Sequence, residues 1–415
     1  MSPTSVASAH HPRPVHPSIF MFLIIPFGAM GGYLGVTVAY LLKQHGITVA
    51  QVAGLLALAL VPHTWKFLWA PIADTTLTRK GWYLVGAVSS AIGIFATGAL
   101  DPTKASLPLL SIIVFTSNLG CTLLGMSTES LMAYDTNEDQ KGRAGGWFQA
   151  GNLGGAGVGG GLGLWLAQRL PEPWMSGAVI GALCLACAIA LLFIEEPAAS
   201  HRHDSLGRSL AFVVRDLWNT ARSRIGLLAL ILCFLPIGSG AAGGLFAAVA
   251  GDWKATADTV ALVSGVLGGV IAALGCICGG WLADRMDRKN AYVLYGLLQA
   301  ACAVAMALAP RTEWMFIVFT SLYAFITGLT YAGFTAFVLE AMGLGAAAIK
   351  YSLYASLSNM PIWYMTLVDG WAQTRWNSAM MLYVEAALCI AGLVLFVGVM
   401  AVARRYVPAT VTTAA

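Results

Sequence analysis

Charge is what this sequence has least of. Of 415 residues only 10% are Asp, Glu, Lys or Arg, while 58% are apolar. A soluble chain carries about 25% charged residues to keep its surface wet, so a water-facing globule is excluded and most of the surface must meet lipid. The formal charge of +4 is small and dispersed, which leaves no basic footprint for nucleic acid. Asn-x-Ser/Thr acceptors are missing, which fits a bacterial membrane. Metal ligands are also wanting. The eight cysteines lie mostly in apolar runs, and Cys276-Ile277-Cys278 has no histidine close by, so a zinc site is not expected. The cysteines read as small packing residues. No Ser/His/Asp set or other catalytic constellation can be assembled from the few polar intramembrane groups, so neither an enzyme nor a cofactor is expected.

What is present is a series of long apolar runs. A spanning helix needs about 20 mainly apolar residues. Twelve runs meet that length, near 17–41, 48–72, 82–100, 107–132, 144–168, 174–194, 225–250, 258–283, 290–309, 313–340, 347–371 and 378–403. The first has no small-residue cleavage site after a short apolar core, so it reads as a helix and not a signal peptide. Residues 1–16, with His10, His11 and His16 among prolines, read as a disordered, solvated tail.

Lys and Arg set the orientation. With both termini inside, sixteen basic residues fall in inner segments and six in outer ones, and Lys66 within the second run completes the total of 23. The positive-inside rule therefore places both termini in the cytoplasm. The longest polar interruption, 195–224, divides the chain into helical sets at 17–194 and 225–403, with a tail at 404–415. Within it, Ser209 to Arg222 has the pattern of an amphipathic helix on the inner leaflet.

The two halves share a mark. Gly280-Trp281-Leu282-Ala283-Asp284-Arg285-Met286-Asp287-Arg288-Lys289 follows the eighth run, and Ala70-Pro71-Ile72-Ala73-Asp74 with Arg79 and Lys80 follows the second. The first of these resembles the G-x-x-x-D-R-x-G-R-R loop of the major facilitator superfamily, with Asp287 where glycine is usual. The resemblance implies an all-α membrane fold of twelve helices in two six-helix bundles, acting as a monomer. It also implies cytoplasmic gate loops in which Asp74, Arg79, Lys80, Asp284, Arg285, Arg288 and Lys289 latch one conformation.

A narrower resemblance sits at the end of the second run. Trp65-Lys66-Phe67-Leu68-Trp69-Ala70-Pro71-Ile72-Ala73-Asp74 is similar to the K-F-L-W-A-P-x-x-D signature of AmpG-type muropeptide permeases and their acetyl-CoA transporter relatives. Ala348-Ile349-Lys350-Tyr351-Ser352-Leu353-Tyr354-Ala355-Ser356-Leu357 resembles that family's A-T-Q-Y-A-L-x-S-S-L, with Lys350 in place of Gln. The implied role is proton-driven import of N-acetylglucosaminyl-anhydromuramyl peptides, with a small solute, protons and membrane lipids as partners. An exporter of drugs or metabolites is the alternative within the same class, and a membrane sensor without flux is the alternative outside it.

Polar groups in lipid need a reason, since a charge at a helix centre costs at least about 2.5–3.5 kcal/mol. Tyr33, Thr37 and Tyr40 share one helical face, as do Asn118, Thr122, Gly125 and Glu129. Tyr323, Thr327 and Thr330 form a third stripe, and Ser352, Ser356, Asn359 and Trp363 a fourth. In the superfamily these helices face a central cavity, which makes Tyr33, Thr37, Tyr40, Asn118, Thr122, Tyr323, Thr327, Asn359 and Trp363, with Gln149 and Asn152 on the fifth run, the expected substrate contacts. Interhelical hydrogen bonding, worth about 0.6 kcal/mol per contact, is the competing reading. Glu129 and Glu340 occupy matching places in the two halves and read either as proton carriers or as gate residues paired with Lys66, Lys350 or the loop arginines. His63, beside Pro62, is a further proton-carrier candidate, with a hydrogen-bonded structural histidine as the competing reading.

The fifth run holds ten glycines between Gly145 and Gly163. In a soluble helix each would cost about 1 kcal/mol relative to alanine. In lipid, small residues let helices approach closely, so this run reads as a close-packed, sliding surface. No strand or Gly-Lys-Ser/Thr accompanies it, which excludes a phosphate loop.

Overall fold

The computed structural model describes residues 16–69, 77–135, 141–194, 233–283, 285–342, 353–354 and 356–406, with isolated positions between 207 and 222. The helices are α1 (Ile19–Gln44), α2 (Val49–Thr64), α3 (Arg79–Ala99), α4 (Leu107–Asp135), α5 (Lys141–Gly157, carried on through Gly163–Arg169) and α6 (Pro173–Phe193). They continue as α7 in short pieces (Ala241–Leu245, Phe246–Val249 and Ala250–Trp253), α8 (Ala257–Ala283), α9 (Arg288–Leu308), α10 (Glu313–Met342), α11 (Asn359–Arg375) and α12 (Ser378–Tyr406). Among the described residues there is no strand. Among the described residues, eight helices (α1, α3, α4, α6, α8, α9, α10 and α12) are long and apolar enough to cross a membrane by themselves. The other four (α2, α5, α7 and α11) are short, broken or glycine-rich, and each takes part in contacts between the two helical sets.

Helix starts follow local chemistry. Thr48 and Gln51 form a reciprocal capping box at α2, and Thr78 caps α3 through the Gly81 amide. Asp287 accepts from the Lys289 and Asn290 amides at the start of α9. The acid that replaces a loop glycine is thus an N-cap. Pro173 begins α6, where its missing N–H costs nothing.

The helices pair in repeating fashion. α1 packs on α5, α2 on α4, and α3 on α4 and α6; correspondingly α7 packs on α11, α8 on α10, and α9 on α10 and α12. Two further seams, α2 with α11 and α5 with α8, join the two sets. Glycine makes the closest contacts. A side chain at Gly155 or Gly159 would run into the Ile25 and Ala29 carbonyls of α1, and one at Gly161 would strike α8 at Val266. Three π-helical turns, Tyr33–Val38, Val158–Leu162 and Ala261–Leu267, meet at this same place where α1, α5 and α8 converge.

Several expectations need adjustment. An unbroken helix over 225–250 is not what forms. Pro236 cannot donate to a helix, and Gly238 (φ 58°) and Gly240 (φ 72°) adopt the left-handed conformation that glycine tolerates. Helix resumes only at Ala241. α2 ends at Thr64, and Lys66–Leu68 turn into a 3-10 helix. α11 reaches Arg375, four residues beyond the expected end. Of the cysteines, five are buried, Cys187 and Cys276 are half-buried, Cys278 is exposed, and none is bridged.

Candidate functional site

The polar groups separate into three layers. The first lies at the face that carries residues 45–48, 170–172, 254–256 and 376–377. Arg169 of α5 reaches Asp258 of α8 with both guanidinium arms, Nη1–Oδ1 3.0 Å and Nη2–Oδ2 3.3 Å, while its plane lies over Trp165. Ala50 N–H of α2 donates to Thr374 Oγ1 of α11 at 2.9 Å. Glu313 collects the Thr256 amide and the hydroxyls of Thr256 and Thr259. Arg311 lies 3.9 Å over the buried Trp253 ring. Burial draws the Arg311 guanidinium below its usual range, and nearby Asp252 offsets this. Each seam therefore carries a polar contact at this face.

The second layer belongs to α1, α2 and α4. His63 Nε2 stands 3.4 Å from Asn118 Oδ1, and the Phe27 ring meets the imidazole edge-on at 5.3 Å. One turn on, Lys66 Nζ pairs with Glu129 Oε1 at 3.2 Å; the lysine is mostly buried and the glutamate is 42% exposed. Of the two readings of Glu129, the ion pair is the one the geometry displays.

The acids of the third layer have no counterpart among the sequence expectations. Asp369 of α11 and Glu385 of α12 are both buried and close enough to interact electrostatically. The Tyr323 hydroxyl of α10 donates to Glu385 Oε1, and the Ala242 N–H of α7 approaches the same oxygen at 3.5 Å. Gln299 of α9 donates from Nε2 to Thr327 Oγ1 at 3.4 Å. Both Asp369 oxygens, Glu385 Oε2 and Gln299 Oε1 have no donor. These acids are legible as charges within apolar runs. Shared helical faces do not reveal them, because each stands alone on its helix and they meet only after folding.

The expected substrate contacts divide. On α1, Thr37 donates to the Gly159 and Gly160 carbonyls at 3.0 Å each, and Tyr33 packs against Gly98, Gly163 and Gly177. Tyr40 is buried too. This stripe is thus absorbed by packing with α3, α5 and α6, because in lipid a hydroxyl takes the nearest backbone carbonyl. Thr122 bonds to the Leu119 carbonyl of its own helix and Asn118 to the Val114 carbonyl as well as His63. Tyr323 and Thr327 belong to the acid layer. Asn152, Asn359 and Trp363 are half-buried and Gln149 is exposed, so these four have accessible surface. Arg79 and Lys80 begin α3, Arg285 stacks 3.6 Å over Trp281, and Arg288 and Lys289 open α9. Asp74, Asp284, Lys350 and the Glu340 side chain lie outside the described residues.

A groove of about 620 Å³ lies elsewhere, on α3 and α4, walled by exposed Leu84, Val88, Ile92 and other apolar side chains. Its apolar, outward-facing walls suit acyl chains and not a polar solute.

Comparison with known proteins agrees with this architecture. The sequence profile of the Major Facilitator Superfamily matches residues 20–364, and the chain belongs to that family. It is 25% identical over 366 residues to the anhydromuropeptide permease of Escherichia coli K12, covering 82% of this chain and 71% of that one. Among solved structures it is similar to the nucleoside transporter NupG (TM-score 0.70, 11% identity, 92% of this chain and 98% of that one). A D-xylose-proton symporter gives a TM-score of 0.69 at 14% identity, covering 92% and 96%. The chain is a multi-pass membrane protein and a secondary active transporter.

Proposed function

We propose that this transporter imports anhydro-muropeptides, amphiphilic sugar–peptide fragments, across a bacterial inner membrane in symport with protons. The similarity to the anhydromuropeptide permease across four-fifths of the chain carries this reading. The segment Trp65–Trp69, at the end of the α2 region, supports it. In this reading both termini are cytoplasmic, so the face tied by Arg169–Asp258 is periplasmic and is closed here.

Gln149 and Asn152 on α5 and Asn359 and Trp363 on α11 are the proposed solute contacts. Amides donate and accept toward sugar hydroxyls and peptide groups, and an indole offers a flat apolar surface to a sugar ring. Lys66 and Glu129 act as a latch within one set of helices. The pair opens and re-forms as the sets rock against each other.

Ligand-induced stabilisation tests the solute assignment. A solute present at 100 times its dissociation constant stabilises the folded state by about 2.7 kcal/mol. An anhydro-muropeptide is expected to raise the melting temperature of the purified transporter, with xylose and nucleosides leaving it unmoved. A shift with a nucleoside or xylose and none with the muropeptide contradicts the assignment.

A further inference from the structure

We infer that Asp369 and Glu385, with Tyr323 and Gln299, form a proton-binding site that couples ion movement to the α2–α11 seam.

Both carboxylates are buried inside the helical core. Among the described residues, the Tyr323 hydroxyl and the Ala242 N–H meet Glu385, the thiols of Cys302 and Cys389 lie near it, and the Gln299 amide neighbours Tyr323. None is a cation. Two unpaired negative charges in such surroundings would cost many kcal/mol in desolvation and repulsion. The donors are unevenly placed. Tyr323 and Ala242 both point at Glu385 Oε1, so Glu385 is furnished as the ionised member. Asp369 receives no donor on either oxygen, while Glu385 Oε2 and Gln299 Oε1 are acceptors without partners. One hydrogen on Asp369 removes the second charge. The pair holds a single proton.

Position gives that proton a use. The residue after Asp369 is Gly370, whose missing side chain lets α11 sit directly on Ala53 and the Val49 carbonyl of α2. Four residues further along, Thr374 accepts from Ala50. Asp369 is therefore one residue from the seam that joins the two helical sets, and Glu385 is tied to the broken helix α7. Gaining a proton from one aqueous side forms the O–H bond on Asp369 and relieves repulsion between α11 and α12. Losing it to the other side restores that repulsion, so the two protonation states favour different seats of α11 against α2. Tyr323 is a positioning residue that holds Glu385.

This use in transport rests on the symport reading above; the site itself does not. Infrared difference spectroscopy of the full chain in lipid, with no solute, reads the site directly. The wild type is expected to show the carbonyl stretch of a protonated carboxyl group at neutral pH, shifted in deuterated water. In the Asp369→Asn/Glu385→Gln double variant that band is lost. Absence of the band in the wild type overturns the site, as does its survival in the double variant. A band that appears only when sodium is withdrawn also overturns it, since a sodium ion would then be the occupant. A second measurement is made in proteoliposomes. Glu385→Gln is expected to keep exchange of labelled for unlabelled muropeptide and to lose gradient-driven accumulation. Accumulation equal to wild type in that variant overturns the coupling role. A wild type with the band but no muropeptide flux leaves the site standing and counts against the solute assignment alone.

Discussion

Arg169 and Asp258 hold α5 and α8 together by a two-armed ion pair at 3.0 and 3.3 Å, across the seam between the two sets of helices. Both side chains are substantially exposed, 44% and 66%. An exposed pair of this kind is worth about 0.2–1 kcal/mol, so it biases the closed face without locking it. Arg169→Ala is expected to shift the open-to-closed ratio by no more than about fivefold. Nitroxide labels at Lys104 and Thr312, with exposed Cys278 replaced, would report the shift as a change in distance distribution. The reversed pair, Arg169→Asp with Asp258→Arg, should recover most of it. No change in Arg169→Ala would remove the pair from the gate.

Adjacent glycines on α5 separate packing from mere flexibility. A side chain at Gly155 meets the Ile25 carbonyl and the Ala29 amide of α1, whereas one at Gly154 meets open space. Overpacking a well-filled contact costs typically about 1–3 kcal/mol. Gly155→Leu should therefore lower the melting temperature in detergent clearly, and Gly154→Leu should leave it near wild type. Equal effects would mean that the close approach of α1 and α5 is not what the glycines serve.

The cap on α9 gives a local test. Asp287→Ala removes the acceptor for the Lys289 and Asn290 amides and should cost about 0.5–2 kcal/mol, while Asp287→Asn or Asp287→Gly should cost only a few tenths. Thermal unfolding tracked by circular dichroism would rank the three. An equal loss in all would point to a role for the negative charge itself.

Much of the fold is legible in the sequence because lipid imposes simple rules. Long apolar runs mark α1, α3, α4, α6, α8, α9, α10 and α12, and the glycine run marks α5 as a close-packed surface. The break in α7 is less visible, since Pro236 and the glycines around it sit in an apolar run that reads as one span. Face-sharing finds polar residues but not their partners. Thr37 reads as a cavity hydroxyl, yet it bonds the Gly159 and Gly160 carbonyls. Asp369 and Glu385 share no face, and only the packing of α11 on α12 brings them together. Spacing along one helix cannot register a site assembled from five.

The Lys66–Glu129 ion pair makes its own prediction. Lys66 is mostly buried against Glu129, so Glu129→Gln should lower solute exchange, and Lys66→Glu with Glu129→Lys should restore part of it. Unchanged exchange in Glu129→Gln would show that the pair only holds the helices together and takes no part in the cycle.

Proton-driven import of a muropeptide is tested most directly by uptake into sealed proteoliposomes. Labelled anhydro-muropeptide is measured inside the vesicles with and without an inward proton gradient, with sodium held constant. Accumulation above equilibrium is expected only with the gradient, and it should collapse when a protonophore is added. Uptake that ignores the proton gradient, or that depends on sodium instead, would contradict proton-driven import.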